Sequence, residues 1–376
     1  MANPSSNPEP FLQLIESKGE LCGRFTSMRR LGTVGGGGYF SLLFRAQDRD
    51  RGQEVALKFL DPGVTDPYRV ESFAREVEIL GALEGQPDIL NRFSGMLEIV
   101  EPFQHALGMN LNITLKFYAA ELAHSDVGTI LNNFPVDPAD KLIQFRAMCR
   151  SVQRIHSLGI VHRDIKPSNF LIMSDGTLRL SDFGTARQFK GAQGILRNYS
   201  SPPGDSTYAP LEMIAALHDV EPTIAYAGDM YSLGAVLFEM FTGTPLNLHL
   251  FNRSMLLNLN GIMNTVRPED RFREYNKAIS SISNKYRLPD VRDFGSLVPS
   301  SIAQILNRMY GQLAAIDYRY RARDCKSTFL QINQCLLTLR NQAAISRWRQ
   351  RRAGFREALK QKRLRLQTIM MNGEKS

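Results

Sequence analysis

Residues 160–171 read IVHRDIKPSNFL and place several polar side chains between apolar ends. They include those of His162, Arg163, Asp164, Lys166 and Asn169. Two interpretations compete for this segment. It is either a solvated turn, or a loop that is anchored by its buried ends and whose polar centre does chemistry.

A run of glycines at 35–38 indicates phosphate binding. Backbone N–H groups approach phosphate oxygens only where no side chain intervenes, and glycine gives that access. Such a run is also typical of a flexible turn. Its place between two predicted strands favours the phosphate interpretation.

Asp182 stands in an Asp-Phe-Gly sequence, 18 residues after Asp164 (182 − 164). A carboxylate there can bind Mg²⁺, which prefers oxygen ligands and retains several waters. The tripeptide alone is common by chance, so its weight comes from its order and spacing relative to 162–169.

The elements that position these residues begin with strands. RFTSMRRLG, YFSLLFRAQD and RGQEVALKFL predict three antiparallel strands, and GMLEIVEPFQ and ITLKFYAAEL predict two more. Val70, Phe73, Val77 and Leu80 are spaced by 3, 4 and 3, which predicts one face of a helix between the two groups of strands.

After about Ala123 the pattern becomes mainly helical. ADKLIQFRAMCRSVQRIHSLG predicts an amphipathic helix that ends at Gly159. FLIMSDGTLRLSDFG predicts a hairpin with its turn at Asp175 and Gly176. From Ala227 onward most of the sequence has a helical pattern.

The predicted fold class is therefore α+β, with a small β-rich lobe containing one key helix and a larger, mainly helical lobe. The predicted boundaries are a flexible N-terminus at 1–23, the small lobe at 24–122, the large lobe at 123–339, and a basic amphipathic helix or tail at 340–376.

Composition narrows the class of protein. An apolar fraction of 43% and a charged fraction of 22% are those of an ordinary globular protein. The net charge of +9 comes from the tail, because 340–376 holds 11 Lys and Arg against 2 acidic residues (11 − 2 = +9). No run reaches the roughly 18 apolar residues of a transmembrane segment, and the N-terminus shows no signal pattern. Four cysteines without CxxC spacing argue against a zinc or disulfide framework and for a reducing cytoplasm.

These motifs, in this order, resemble the eukaryotic-type, bacterial-style serine/threonine protein kinases, from roughly Arg24 to Gln334. The resemblance implies a bilobal kinase-like fold that binds ATP and Mg²⁺ between the lobes. It also implies transfer of the γ-phosphoryl group of ATP to hydroxyls of a protein substrate, including the kinase itself by autophosphorylation.

The resemblance also implies roles for the opening segment. HRDIKPSN matches the kinase catalytic loop, so Asp164 would accept or orient the proton of the attacking hydroxyl. Lys166 would steady the transferred phosphoryl group, and its presence is the serine/threonine-type pattern. Asn169 and Asp182 would hold Mg²⁺. His162 is expected to brace the loop.

Lys58 ends the sequence VALK on a predicted strand. Alternation places Val55 and Leu57 on one face and Ala56 and Lys58 on the other. The resemblance implies that Lys58 holds the α- and β-phosphates of ATP and pairs with a helical glutamate. Glu76 matches the family register, and Glu78 is its competitor.

The glycine run matches the family's G-x-G-x-x-G pattern only in part. Gly36 and Gly38 occupy the first two positions, and Ser41 stands where the third glycine is expected. All three residues remain candidates for binding the nucleotide.

Several family positions have structural or regulatory roles. The resemblance implies a buried pair between Glu212 and Arg321, and a bracing role for Asp229 at the catalytic loop. Asp205 replaces the usual threonine, which puts in doubt the normal link between its loop and Asp164 and, with it, the substrate preference. Arg163 is expected to pair with a phosphorylated residue of the activation segment, from Asp182 to Glu212. The candidates for that residue are Tyr199, Ser200, Ser201, Ser206 and Thr207.

The tail carries a heptad-like apolar pattern. Its members, spaced by 3, 7, 4, 7 and 3, are Ile345, Trp348, Phe355, Leu359, Leu366 and Ile369. Arg352 and Lys362 interrupt the stripe. Four interpretations remain open, namely packing on the kinase body with Trp348 and Phe355, a partner protein or autoregulation, a nucleic acid, and a lipid surface.

Three other functions compete with an active kinase. A pseudokinase scaffold would act through the tail, and the departures at Ser41, Asp205 and Leu211 keep it open. A small-molecule phosphotransferase is not expected to carry HRDIKPSN together with YAPLE and Arg321. A nucleic-acid-binding protein with a kinase domain would show binding that weakens steeply with salt.

Overall fold

The computed structural model describes residues 8–31, 41–104, 110–189, 204–217 and 222–373. Its N-terminal part is a six-stranded antiparallel sheet with the order β1-β2-β3-β4-β6-β5. The strands are β1 Glu20–Leu21, β2 Phe25–Arg30, β3 Ser41–Asp48, β4 Gln53–Leu60, β5 Leu97–Gln104 and β6 Asn110–Glu121.

Two helices accompany the sheet, α1 at Glu9–Ser17 and α2 at Pro67–Ala82. Helix α2 begins at an N-cap, because the Asp66 side chain accepts the Tyr68 N–H at 3.0 Å and Pro67 fits the first turn. Its buried face includes Phe73, Val77 and Leu80, as the spacing predicts.

The second part of the chain is mainly helical and has short strands near its start. Its helices are α3 Val127–Asn133, α4 Pro138–Ser157, α5 Leu211–Ile214, α6 Pro222–Thr242, α7 Leu246–Leu250, α8 Arg253–Thr265, α9 Arg271–Lys285, α10 Ser300–Leu313 and α11 Lys326–Gly373. The strands are β7 Ser125–Asp126, β8 Ile160–Val161, β9 Phe170–Ile172, β10 Leu178–Leu180 and β11 Arg187–Gln188.

Helix α6 is the centre of this part. Nearly every residue from Gly228 to Thr242 is buried, so the helix is apolar on all sides and is surrounded by α4, α7, α10 and the loops that carry the site. The expected hairpin is also present, since β9 pairs with β10 and Gly176 adopts φ +78° in the turn. The α+β, two-lobed fold class is confirmed.

Two predictions about the ends of the chain are wrong. Part of the N-terminus expected to be flexible forms helix α1, in which Ile15 is fully buried and Glu9 pairs with Arg30 at 2.9 Å. The basic tail is not a separate helix, because α11 begins at Lys326 inside the large lobe and continues without a proline. Residues 1–7 and 374–376 lie outside the described ranges.

Within the described ranges, no helix combines the length and the apolar character needed to cross a membrane.

Candidate active site

A cavity lies between the sheet and the helical part. Its lining combines apolar side chains with an ammonium, an amide and carboxylates. The residues are Leu31, Ser41, Leu43, Ala56, Lys58, Glu76, Leu90, Tyr118, Ala120, Glu121, Leu122, Ala123, Ser168, Asn169, Leu171, Ser181 and Asp182. Strand alternation explains the lining on β4. Val55 and Leu57 face the buried core, and Ala56 and Lys58 therefore face the cavity.

Lys58 pairs with a buried glutamate on α2. Its Nζ lies 2.8 Å from Glu76 Oε1 and 2.7 Å from Oε2, so the predicted register holds and Glu78 is not the partner. The hydroxyl of Tyr118 on β6 donates to Glu76 Oε1 at 3.0 Å. Lys58 Nζ also lies 3.4 Å from Asp182 Oδ1, which links the sheet to the helical part.

The charges of this cluster support one another. Burial lowers the pKa of the Lys58 ammonium, but the carboxylates of Asp182 and Glu76 outweigh it and hold that pKa well above its ordinary value. The Lys58 ammonium in turn holds the pKa of Asp182 below its ordinary value. At neutral pH the cavity therefore contains an ionised Asp182 beside a protonated lysine.

Asp229, on α6, positions the loop that follows β8. Its carboxylate accepts the main-chain N–H groups of His162 and Arg163, each at 2.8 Å, and lies 2.8 Å from His156 Nε2. Arg163 adopts the left-handed conformation with φ +67°, a strained geometry that these bonds hold in place. The expected bracing role of Asp229 is confirmed by this geometry.

His162 is fully buried and braces the same loop. Its Nε2 lies 2.9 Å from the Ser181 main-chain oxygen, and its Nδ1 accepts the Asp164 N–H at 3.3 Å. Its ring lies 4.9 Å from that of Phe183, centroid to centroid. His162 therefore connects the loop that carries Asp164 to the segment that carries Asp182.

Asp164, Lys166 and Asn169 form one bonded group. Lys166 Nζ lies 2.9 Å from Asp164 Oδ2. Asn169 Nδ2 donates to the main-chain oxygen of Asp164 at 2.7 Å and to its Oδ2 at 3.2 Å. Burial lowers the pKa of Lys166, but the Asp164 carboxylate outweighs it and raises the pKa, so the lysine stays protonated beside the carboxylate.

The donor atoms near Asp182 fit a magnesium ion. Asp182 offers a carboxylate with its side chain 43% exposed, held in the left-handed conformation at φ +62°. Asn169 offers its amide oxygen, because its amide nitrogen is used by Asp164. Both residues line the same cavity, and oxygen ligands are what Mg²⁺ prefers.

The turn after Asp182 is fastened to α2. The main-chain oxygen of Gly184 accepts the Ser72 hydroxyl at 2.5 Å and Arg75 Nη1 at 3.3 Å. Phe183 is fully buried in the core that includes Phe73 of α2. The position of α2, and with it that of Glu76, is therefore tied to the position of Asp182.

A second groove adjoins the cavity, and Ser168 lines both. Lys166, Asp205, Tyr208 and Glu239 contribute polar groups to it. The Tyr208 hydroxyl donates to Glu239 Oε2 at 2.7 Å, and burial raises the pKa of Glu239.

Asp205 retains a link to Asp164 despite the missing threonine. Its main-chain N–H donates to Asp164 Oδ1 at 2.8 Å, and its carboxylate accepts the Thr207 N–H at 2.8 Å. A backbone donor therefore makes the contact that the sequence put in doubt, and any residue except proline could supply it at this position.

Glu212 and Arg321 form the expected buried pair. Both side chains are almost fully buried. Arg321 Nη1 donates to Glu212 Oε1, and Arg321 Nη2 lies 3.1 Å from Glu212 Oε2. The Tyr275 hydroxyl donates to Glu212 at 3.2 Å, and the Arg321 guanidinium lies 4.8 Å from the centre of the Tyr231 ring. The pair joins α5, α6 and α9 below the groove.

The structure brings most sequence-predicted site residues together. Ser41, Lys58, Glu76, Asn169 and Asp182 line the cavity, and Asp164 and Lys166 are bonded beside it. Gly36 and Gly38 lie outside the described residues, as do Tyr199, Ser200 and Ser201.

Sequence reasoning missed two residues near the site. One is Tyr118, whose bond to Glu76 joins different elements. The other is Asn247, whose amide donates to the main-chain oxygens of Ser206 and Ala209, each at 2.9 Å. Strand alternation on β6 could have indicated that Tyr118 faces the cavity. No pattern in the sequence indicated the role of Asn247.

The sequence matches a known family over most of its length. The family model described as protein kinase domain matches residues 28–328. The chain is 28% identical over 300 residues to the dual specificity protein kinase Ttk of Danio rerio, which covers 78% of this chain and 28% of that protein. It is 27% identical over 250 residues to the cyclin-dependent kinase 9 of Rattus norvegicus and to that of Homo sapiens, in each case covering 66% of this chain and 64% of the relative. The match therefore spans less than two thirds of each relative.

Proposed function

The chain belongs to the protein kinase domain family, and from this premise we propose that it is an ATP- and Mg²⁺-dependent serine/threonine protein kinase. One observation carries the proposal. Lys58, Asn169 and Asp182 line one cavity, while Asp164 and Lys166 are bonded to each other at the edge of the adjoining groove. This arrangement supports phosphate-binding, metal-binding and proton-accepting roles for these groups.

The cavity suits ATP. Leu43, Ala56 and Leu171 supply apolar surfaces for the adenine ring, and Lys58, held by Glu76, is proposed to bind the α- and β-phosphates. Ser41 lies on β3 at the end of the glycine-rich segment, and Gly36 and Gly38 remain proposed phosphate ligands on sequence grounds. Asn169 and Asp182 are proposed to hold Mg²⁺, which when bound neutralises phosphate charge.

Asp164 and Lys166 are proposed to act on the acceptor. The oxygen of the substrate hydroxyl bonds to the γ-phosphorus, and the bond between that phosphorus and the ADP oxygen breaks. Asp164 accepts the proton that the substrate hydroxyl loses. Lys166, protonated and 2.9 Å from Asp164, steadies the transferred phosphoryl group. The groove beside them, with a volume of about 650 Å³, is proposed to seat the polypeptide substrate.

The test uses otherwise identical peptides with serine, threonine or tyrosine as the only acceptor, incubated with labelled ATP and Mg²⁺. We expect label on serine and threonine. We also expect Lys58→Met to lower transfer by roughly a hundredfold, because the phosphates lose their positioned cation. The matched control is Lys116→Met, which removes a surface lysine that pairs with Glu98 at 3.0 Å. Label on tyrosine alone, or full activity in Lys58→Met, would contradict the proposal.

We further propose that the segment between Asp182 and Glu212 carries a phosphate in the active form. Arg163 supports this, since it lies at the base of the segment and its Nε donates to the Thr185 main-chain oxygen at 2.7 Å. Intact mass and peptide mapping of active protein would locate the phosphate. Active protein without a phosphate in this segment would contradict the idea.

A cytoplasmic location is also proposed. Cys22, Cys149, Cys325 and Cys335 are all free thiols, and free thiols persist in a reducing compartment.

A further inference from the structure

Helix α11 has two apolar faces on opposite sides. On the inner face Ile332 and Cys335 are fully buried, where the helix packs on α4 and α10. On the outer face Leu330 and Trp348 are 18 residues apart, which is five turns at 3.6 residues a turn, so they share one angular position. Trp348 follows Ile332 by 16 residues, which places it about 160° around the helix from the inner face.

The outer face is exposed along its described length. The exposed fractions are 71% for Leu330, 58% for Leu337, 49% for Ile345 and 58% for Trp348. Single exposed apolar residues are ordinary. Here four share one helix face, with the polar Gln334 and Asn341 between them, and this alignment is typical of an interaction surface. The interpretation in which Trp348 packs on the kinase body is wrong, because every residue from 341 to 354 is exposed.

Positive charge accompanies this face. Arg347, Arg349, Arg351 and Arg352 are all exposed, and Arg352 lies 5.1 Å from the centre of the Trp348 ring. Over 341–373 the sequence has nine Lys and Arg and one acidic residue, Glu357, a net of 9 − 1 = +8. The surface therefore combines an apolar row with a strong positive field.

We propose that the outer face of α11, defined by Leu330, Leu337, Ile345 and Trp348 with the flanking arginines, binds an anionic membrane surface. A helix of this kind lies in the plane of the interface, with its apolar face in the acyl boundary and its basic residues on the lipid headgroups. Tryptophan is enriched at that boundary.

Two features favour a membrane over the other anionic partners. A nucleic acid would satisfy the arginines but would leave the apolar row exposed to water. A partner helix would have to bury Arg352 in its contact seam, which costs stability in a coiled coil, whereas at a membrane a long basic side chain extends to the headgroups.

The placement of the kinase body agrees with this orientation. The inner face holds the large lobe, so the lobe lies on the side of the helix opposite to the apolar row. A flat helix would therefore meet the membrane while the cavity and groove stayed in water. From Leu330 to Trp348 the row spans about 27 Å.

Trp348 is the only tryptophan in the chain, so its emission reports on this surface directly. The full-length protein is mixed with vesicles of phosphatidylcholine alone or of phosphatidylcholine with phosphatidylglycerol. We expect sedimentation with the anionic vesicles only, together with a blue shift of the tryptophan emission. Added salt is expected to weaken binding.

The variants separate the apolar and charged contributions. Leu330→Gln with Leu337→Gln, and the fourfold change of Arg347, Arg349, Arg351 and Arg352 to Gln, are each expected to weaken vesicle binding by roughly tenfold or more. The matched control removes four exposed arginines elsewhere by changing Arg253, Arg267, Arg287 and Arg308 to Gln, and should bind like the wild type.

Three results would overturn the proposal. The first is an absence of vesicle binding, including the case in which the protein binds a nucleic-acid duplex or an acidic peptide instead. The second is binding without a shift in Trp348 emission. The third is an equal loss of binding in the control variant, which would show a general charge effect. The assay needs no catalysis, so its outcome is independent of the proposed kinase activity.

Discussion

Gly204 lets the chain pass close to Asp164. It adopts φ +83°, and a Cβ at this position would lie 2.3 Å from the main-chain oxygen of Arg163. The next N–H, that of Asp205, donates to Asp164 Oδ1. Only glycine combines the left-handed backbone with this approach, so the orientation of the Asp164 carboxylate depends on it.

Gly204→Ala should therefore lower phosphoryl transfer by roughly tenfold or more, because the clash moves the donor away from Asp164. The matched control is Gly176→Ala in the β9–β10 turn, where φ is +78° but a Cβ would meet nothing within 4 Å. That control should cost only about 1–2 kcal/mol of stability and leave transfer unchanged. Equal activity in the two variants would contradict the role of Gly204.

At this scale the sequence was informative where residues lie on regular elements. The partner of Lys58 followed from the family resemblance, whose register falls on Glu76, one residue before the buried Val77. Strand alternation on β6 could indicate which face carries Tyr118, but its bond to Glu76 was not predictable, because the hydroxyl meets Glu76 only after β6 and α2 pack together. Likewise, the link to Asp164 was doubted because the Asp205 side chain replaces that of a threonine, whereas the main-chain N–H of Asp205 makes the contact.

At the scale of elements, the Glu212–Arg321 pair fixes α5 beneath the groove. Arg321→Met should destabilise the fold by about 3–5 kcal/mol, because it leaves the Glu212 carboxylate buried without a cation. Adding Glu212→Gln should recover part of that loss. Both values come from urea unfolding.

The control for this prediction is Arg273→Met. Arg273 pairs at the surface with Glu274 at 3.2 Å, and removing such a pair costs about 1 kcal/mol or less. If Arg321→Met were as mild as this control, the buried pair would not hold the elements together.

The free energy of unfolding is expected to depend on pH because of Asp229, which lies on α6. Burial raises its pKa, but the His156 side chain and the main-chain N–H of His162 outweigh burial and hold the pKa below its ordinary value. A group with a lowered folded pKa stabilises the fold above its unfolded pKa of about 3.9 and loses that contribution as pH falls through the folded pKa.

Asp229→Asn should therefore lower the free energy of unfolding most strongly near pH 7. The difference in that free energy between variant and wild type should become smaller below about pH 4. Unfolding free energies measured across that range test this. A difference that stays constant with pH would show that the charge of Asp229 is not what stabilises the loop.

The elements at the two ends show where sequence reasoning failed. Helix α1 follows a stretch rich in Pro and Asn, which favours disorder, but the tertiary contacts of Ile15 and Arg30 stabilise it. Helix α11 was divided at 339/340 because the charge changes there, although charge does not end a helix. By contrast, α2, the strands β2, β3 and β4 and the β9–β10 hairpin had strong periodic or turn signals.

At the scale of the whole molecule, the lobes and the exposed part of α11 have separate roles. Residues 341–354 are all exposed, and the Ser301 hydroxyl of α10 donates to Gln342 Oε1 at 2.9 Å. An exposed hydrogen bond contributes only about 1 kcal/mol, so truncation after Arg340 should leave the melting temperature within about 2 °C of the wild type. Transfer to a free peptide should also be unchanged. A loss of roughly 5 °C or more would mean that the tail stabilises the lobe.

We propose that the two lobes assemble a phosphoryl-transfer site around Asp164. The most direct test measures nucleotide binding and labelled phosphate transfer in the same preparations of wild type, Asp164→Asn and the exposed control Asp140→Asn. We expect all three proteins to bind nucleotide alike, while Asp164→Asn alone loses transfer by roughly a hundredfold or more. Undiminished transfer in Asp164→Asn would contradict it, as would transfer absent from the wild type despite bound nucleotide.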